Sequence, residues 1–193
     1  MEYRIITAEN FSPVSWSGGT TTELFIFPLT SVYQQRNFEF RLSKATVETD
    51  KSDFTVLPGI SRKLMILSGK ITISHEGHYS RQLDKFEVDE FEGSWKTSSI
   101  GKCTDFNLMT TGNITGKLHG LIIKDKQNVS HEIKKNCDWL FIYMNSGKVR
   151  LEINNKIANV GKDELLVLNK PTLSVLEIKG MEYSELVFAE IYY

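Results

Sequence analysis

The chain has 193 residues, with 23 Lys and Arg against 24 Asp and Glu and a formal net charge of -1. That balance, without any basic run, lacks the electrostatic footprint of a nucleic-acid or polyanionic-membrane partner. The longest apolar runs, such as Leu64-Met65-Ile66-Leu67 and Leu165-Leu166-Val167-Leu168, fall far short of the roughly 20 residues of a membrane span. Met1-Glu2-Tyr3-Arg4 also lacks the basic-then-apolar build of a secretory signal, so neither nucleic acid nor membrane is expected as a partner and the expected location is cytoplasmic.

Period-two alternation with β-branched and aromatic residues recurs along the chain, and no segment sustains a helical period. The first predicted strand is Tyr3 to Thr7. Next comes Trp16-Ser17-Gly18-Gly19-Thr20-Thr21-Thr22-Glu23, an indole and a double glycine followed by three hydroxyls and a carboxylate. The glycines permit a sharp bend or close backbone approach to a ligand. A tight turn into a strand, with Trp16 as a rim aromatic, fits the segment equally well. Strands then follow at Glu23 to Phe27 and Phe38 to Val47. In the second of these, Arg41 and Ser43 share one face, a guanidinium beside a hydroxyl that suits a carboxylate or a solvated surface.

Phe54 to Leu57 reads as a strand, Pro58-Gly59 as a type II turn, and Arg62 as the opening of the strand to Leu67. Arg62 either joins Arg41 or pairs locally with Asp53 or Glu48. Lys70 to Ser74 follows, and His75 and His78 flank a hairpin loop. In Asp105-Phe106-Asn107-Leu108-Met109 the Asp and Asn share a strand face despite poor strand propensity, which points to a ligand or to a local tether. After the predicted strand Phe106 to Thr110, Gly112 to Gly116 is the expected crossing between two halves. The remaining predicted strands are Leu118 to Ile123, Leu140 to Met144, Lys148 to Ile153, Glu164 to Leu168, Ser174 to Ile178 and Leu186 to Tyr192.

A weak repeat overlays Leu64 to Ile73 on Ile142 to Leu151, each an apolar strand, a Ser-Gly-Lys turn and an alternating strand, while Asp89-Glu90-Phe91 matches Asp163-Glu164-Leu165. Two tandem jelly-roll barrels account for it. His119 and His131 stand isolated, and no His-x-His pair with a following Glu marks a metal site, so no metal and no cofactor are expected. Cys103 and Cys137 share no metal-type spacing and read as reduced thiols. Neither a nucleophile elbow nor a phosphate-cradling loop is present.

Taken in order and spacing, Trp16 to Glu23, Phe40 to Ala45, Phe54 to Arg62, Leu67-Ser68-Gly69 and Asp105 to Met109 resemble the HutD/Ves family. The resemblance implies an all-β fold of two tandem cupin-type jelly-roll barrels packed as one compact bicupin, without cupin metal ligands. Residues 1–112 would form the N-terminal barrel and 113–193 the C-terminal one, with terminal strands open to exchange. The family is associated with histidine utilisation, and its Ves branch with cold or stress response. Ser17 stands where many relatives carry Asn, and Lys44 at a variable position.

Read physically, Trp16, Thr20, Glu23, Arg41, Ser43, Arg62, Asp105 and Asn107 are expected to line one pocket. The arginines would hold an acidic group, Trp16 would cover a planar part, and the carboxylates and amide would read donors. The leading function is metal-free binding of a small carboxylate metabolite, such as a histidine-degradation intermediate, in a sensing role. One alternative is an isomerase or hydrolase with Glu23 and Asp105 as acid and base. Another is an interaction protein without a small ligand, and a homodimer is compatible with each.

Overall fold

The structure, a computed structural model, describes residues 3–193; Met1 and Glu2, part of the N-terminal segment read above, lie outside the described residues. The chain forms two compact units, one of residues 11–115 and one of residues 3–10 with 116–193. The first strand, β1 (Tyr3–Ile6), runs antiparallel to residues 165–168 and thus belongs to the second unit.

The first unit contains β2 (Pro13–Trp16), β3 (Gly19–Phe27), β4 (Phe40–Val47), β5 (Lys51–Asp53), β6 (Ile60–Gly69), β7 (Ile71–His75), β8 (Tyr79–Leu83), β9 (Val88–Glu92), β10 (Thr97–Ile100) and β11 (Cys103–Thr111). They make a six-stranded sheet, β2-β3-β4-β11-β6-β9, and a four-stranded sheet, β5-β10-β7-β8. Alternation buries Leu64 and Ile66 of β6 with Ile71 and Ile73 of β7, so apolar faces of the two sheets form one core.

The second unit contains β12 (Thr115–Ile123), β13 (Asn128–Glu132), β14 (Trp139–Ser146), β15 (Lys148–Ile153), β16 (Lys156–Gly161), β17 (Leu165–Asn169), β18 (Val175–Gly180) and β19 (Ser184–Tyr192). Its sheets are β1-β17-β14-β19-β12 and β13-β18-β15-β16. Strand for strand, β12 to β19 repeat the pairings of β4 to β11, so the duplicated element is an eight-stranded jelly roll.

The repeated Ser-Gly-Lys turn is where each jelly roll passes its chain between sheets. Gly69 and Gly147 adopt φ of 80° and 79°. A Cβ on Gly69 would come 2.3 Å from the Lys102 carbonyl oxygen, and one on Gly147 2.4 Å from that of Tyr183. Left-handed backbone and lack of room both select glycine here. Just before the turn, an extra residue bulges each strand, between Ile66 and Ser68 in β6 and between Met144 and Ser146 in β14.

Two expectations differ from the fold. Residues 54–57 are not a strand: Phe54 and Leu57 donate backbone hydrogen bonds to the Thr97 and Gly93 carbonyls, and Leu57 plugs the core, so the apolar run reflects burial rather than pairing. The Pro58-Gly59 turn after it closes from Ile60 N–H to the Leu57 carbonyl at 3.3 Å, with Gly59 at φ 77°. Conversely, β2, β5, β8, β9, β10, β13 and β16 carry too much polarity to read as strands.

Candidate functional site

Strand pairing in the six-stranded sheet sorts the expected site residues by face. In antiparallel pairing, residues directly opposite one another point the same way. Ile26, Arg41, Met109, Arg62 and Phe91 form one row across the sheet. Glu23, Ser43, Asn107, Leu64 and Asp89 form the next. Thr21, Ala45, Asp105 and Ile66 form the third. Arg41, Ser43, Arg62, Glu23, Asp105 and Asn107 therefore share the face that also carries core residues Leu64 and Ile66.

Thr20 does not join them. It lies opposite Thr46, which lies opposite Thr104, on the other face of the sheet, where the Thr46 and Thr104 hydroxyls approach to 3.4 Å. Thr21 occupies the inner-face position instead. The spacing carries the correction: Thr20 and Glu23 are three residues apart and a strand alternates every two. Trp16 is also remote from the arginines. It lies opposite Gly19, which lies opposite Val47, six residues along β4 from Arg41, roughly 20 Å at about 3.3 Å per residue. Its ring packs over Gly18, where a Cβ would meet it at 2.1 Å, and a Cβ on Gly19 would strike the Thr46 carbonyl oxygen at 1.9 Å. The double glycine thus has a local cause: it seats Trp16 and lets β3 approach β4.

The two arginines differ in their surroundings. Arg41 Nε donates to Glu23 Oε2 at 2.7 Å, its Nη1 donates to Ser43 Oγ at 3.1 Å, and its Cζ stands 4.3 Å from the Tyr33 ring centroid. Arg62 Nη1 donates to the Thr55 carbonyl at 3.2 Å, and its guanidinium lies 5.2 and 5.0 Å from the Phe54 and Phe91 ring centroids. Its Nε is buried without a hydrogen-bond partner. Burial pulls Arg62 down to about 10, opposed by Tyr33 and Asp105 and reinforced by Arg41. It remains a cation at neutral pH, in a place that penalises cations.

Asp105 is 3% exposed. Asn107 Nδ2 donates a short hydrogen bond to its Oδ1, and the Cys103 thiol donates to Oδ2 at 3.6 Å. Burial pushes its carboxyl up to about 6 despite those donors and the Arg62 charge. Glu23, by contrast, is 41% exposed at its side chain and ion-paired with Arg41. The two carboxyls stand two strands and one inward-facing row apart, about 12 Å at some 4.8 Å per strand and about 3.3 Å per residue.

The sequence reading missed Tyr33, Phe54, Phe91 and the Thr55 carbonyl. Tyr33 lies in a short 3-10 turn, Tyr33–Gln35, which no periodicity announces, and Phe91 lies in a strand not predicted. It also missed the buried network in which His75 Nε2 and Asp89 Oδ2 stand 2.7 Å apart, His75 Nδ1 and Thr97 Oγ1 2.8 Å, while Tyr79 donates to Asp89 Oδ1 at 3.1 Å. That network cross-links β7, β9 and β10 inside the first unit. A hollow of about 610 Å³ lies elsewhere, over the outer face of the four-stranded sheet, among Asp53, Ser74, Ser80 and Ser98. Among the described residues no group of three or more His, Cys, Asp or Glu could hold a metal ion, and no helix is long and apolar enough to cross a membrane.

Two jelly rolls in tandem define a cupin-type protein. Escherichia coli pirin YhhW in complex with nickel(II) has this fold, with a TM-score of 0.72 at 9% identity over 98% of both chains. The HutD family model matches residues 8–186, and the chain belongs to the HutD family. HutD from Pseudomonas fluorescens SBW25, determined in a formate condition, is 18% identical with a TM-score of 0.72, covering 99% of this chain and 98% of its own. The conserved protein of unknown function PA5104 from Pseudomonas aeruginosa PAO1 is 18% identical over the full length of both chains, with a TM-score of 0.84. No curated protein matches the sequence.

Proposed function

We propose that the first unit binds a small carboxylate metabolite at the Arg41–Arg62 row and acts as a metal-free sensor in the cytoplasm. The observation that carries this reading is Arg62, a buried guanidinium packed against two phenyl rings, whose Nε has no acceptor. Leaving such a donor unmatched is costly, and a carboxylate fits the guanidinium fork. Glu23 pairs directly with Arg41, whereas Asp105 acts on Arg62 through its charge without an ion pair, so Arg62 is the cation with room for a direct anionic partner. The family association with histidine utilisation makes an intermediate of histidine degradation the first ligand to try, with formate as the minimal carboxylate.

The test is a thermal-shift and calorimetric titration of wild type and Arg62→Met with urocanate, formiminoglutamate and formate. A ligand should stabilise the wild type by about 2.7 kcal/mol at a hundredfold excess over Kd and leave the variant unmoved. Equal responses of both proteins, or none from wild type, would reject the reading and favour an interaction protein.

The unequal settings of Asp105 and Glu23 favour a second reading, acid–base catalysis on the same ligand. Turnover by purified protein that disappears in both Glu23→Gln and Asp105→Asn would establish it.

A further inference from the structure

The outer face of the second unit's four-stranded sheet, β13-β18-β15-β16, carries its charge in bands. Strand pairing sets Asn128, Lys179, Arg150 and Asn159 in one row across it, and Ser130, Glu177, Glu152 and Ile157 in the next. All of them are exposed, while Ile178 and Leu151 between the rows point into the core. Two cations thus stand directly opposite one another, and so do two anions, an arrangement that costs a sheet stability. The rows do not neutralise each other within the chain. Ser130 donates to the Glu177 carboxylate oxygens at 2.8 and 2.9 Å, and among the described residues Lys179, Arg150 and Glu152 have no ion-pair partner.

The jelly roll itself does not call for these bands. β13, β18, β15 and β16 repeat β5, β10, β7 and β8, and continuing the overlay of Leu64 to Ile73 on Ile142 to Leu151 puts Thr72 at the level of Arg150 and Ser74 at that of Glu152. Opposite Thr72 stands Ile100, and opposite Ser74 stands Ser98. The first unit therefore builds the same four positions without charge.

A cationic row beside an anionic row is complementary to its own copy turned over. A two-fold axis lying along the rows, midway between them, brings Lys179 over Glu177 of a second copy and Arg150 over that copy's Glu152, and the reciprocal pairs form with them. The same rotation lays Met181 over the copy's Val175. Both are exposed apolar side chains on this face, and Met181 continues the pairing of β18 by donating its N–H to the Lys148 carbonyl at 2.9 Å. Stacked sheets lie about 10 Å apart, a gap that a long cationic side chain and a glutamate span together. We propose that the protein self-associates through this face as a two-fold symmetric dimer, pairing the cationic row of each copy with the anionic row of the other. From Val175 to Met181 the face runs about 20 Å, and its outer strand axes lie about 14 Å apart at some 4.8 Å per strand. That is a small interface, so the dimer is weak and sensitive to salt.

Sedimentation velocity of the full chain, up to about 1 mM, tests this. Wild type should move from monomer toward dimer with concentration in about 0.05 M sodium chloride, and about 0.5 M should weaken the association at least tenfold. Lys179→Glu/Arg150→Glu makes both rows anionic and Glu177→Lys/Glu152→Lys makes both cationic. Each should stay monomeric while keeping the circular dichroism of wild type, since only exposed side chains change. Combining all four substitutions rebuilds the bands with their signs exchanged and should restore self-association. The proposal is overturned by a wild type that stays monomeric throughout, which would leave the bands to a different kind of partner. It is equally overturned by a dimer that ignores salt or survives either double reversal, or by a folded fourfold variant that remains monomeric.

Discussion

Asp105 sits among Asn107, Cys103 and the core, where its ionised form is disfavoured. Because its folded value of about 6 lies above its ordinary 3.8, folding takes up a proton between those values. The stability it confers is present below the ordinary value and is lost as pH rises through about 6, on the order of 3 kcal/mol in total. Denaturant titrations of wild type and Asp105→Asn at pH 4.5 and 7.5 should show the variant gaining about 2 kcal/mol relative to wild type at the higher pH. An unchanged difference would mean that the carboxyl ionises freely. Arg62 stores a related cost. In the free protein Arg62→Met should raise stability by about 1 kcal/mol, because an apolar chain of similar length replaces a buried cation packed against two phenyl rings. The same chemical denaturation measurement checks it, and a marked loss of stability would show that the Thr55 carbonyl contact dominates.

The Ser-Gly-Lys turns divide the stability of the elements between the two units. Gly69→Ala should strip hydrogen-exchange protection from β6 and β7, and Gly147→Ala from β14 and β15, each costing about 3 kcal/mol because backbone must move. Protection lost equally everywhere would contradict that assignment. His119 adds a pH effect of the opposite sign to that of Asp105. Burial, then the neighbouring His131, hold it below its ordinary 6.5, with Glu190 opposing. Its contribution to stability is therefore lost as pH falls below about 6.5. His119→Gln should flatten that acid limb in a melting-temperature series from pH 8 to 5. The repeat around these turns was legible because Leu64-Met65-Ile66-Leu67 and Ile142-Tyr143-Met144 lie mid-sheet, where both neighbours demand apolar side chains. Pro13–Trp16, Tyr79–Leu83 and Lys156–Gly161 were not, since each runs along a sheet edge and keeps polar residues in water. Among site residues, Arg41 and Ser43 could be placed together because one strand carries both. Thr20 was misplaced because its face depends on register, and Tyr33 was missed because a coil turn has no period.

At the scale of the molecule, one architecture appears twice with different polar contents, an arginine pair with a buried acid in one unit and a stacked histidine pair beside a buried glutamate in the other. The pirin of the same fold was determined with nickel(II), whereas the described residues here include no group of three metal ligands. Equilibrium dialysis with nickel(II) should accordingly find no stoichiometric binding, and one tightly held equivalent would refute that expectation. The path of the chain has a consequence for assembly. Tyr3 to Ile6 pair with Leu168 to Leu165, so during synthesis β1 must wait until residues 165–168 have been made before it finds its partner. Residues 11–115 close entirely within their own span. The first jelly roll can thus complete before β17 is made, while the second is sealed only once β17 has emerged, and until then β1 is without its partner and open to any competing strand.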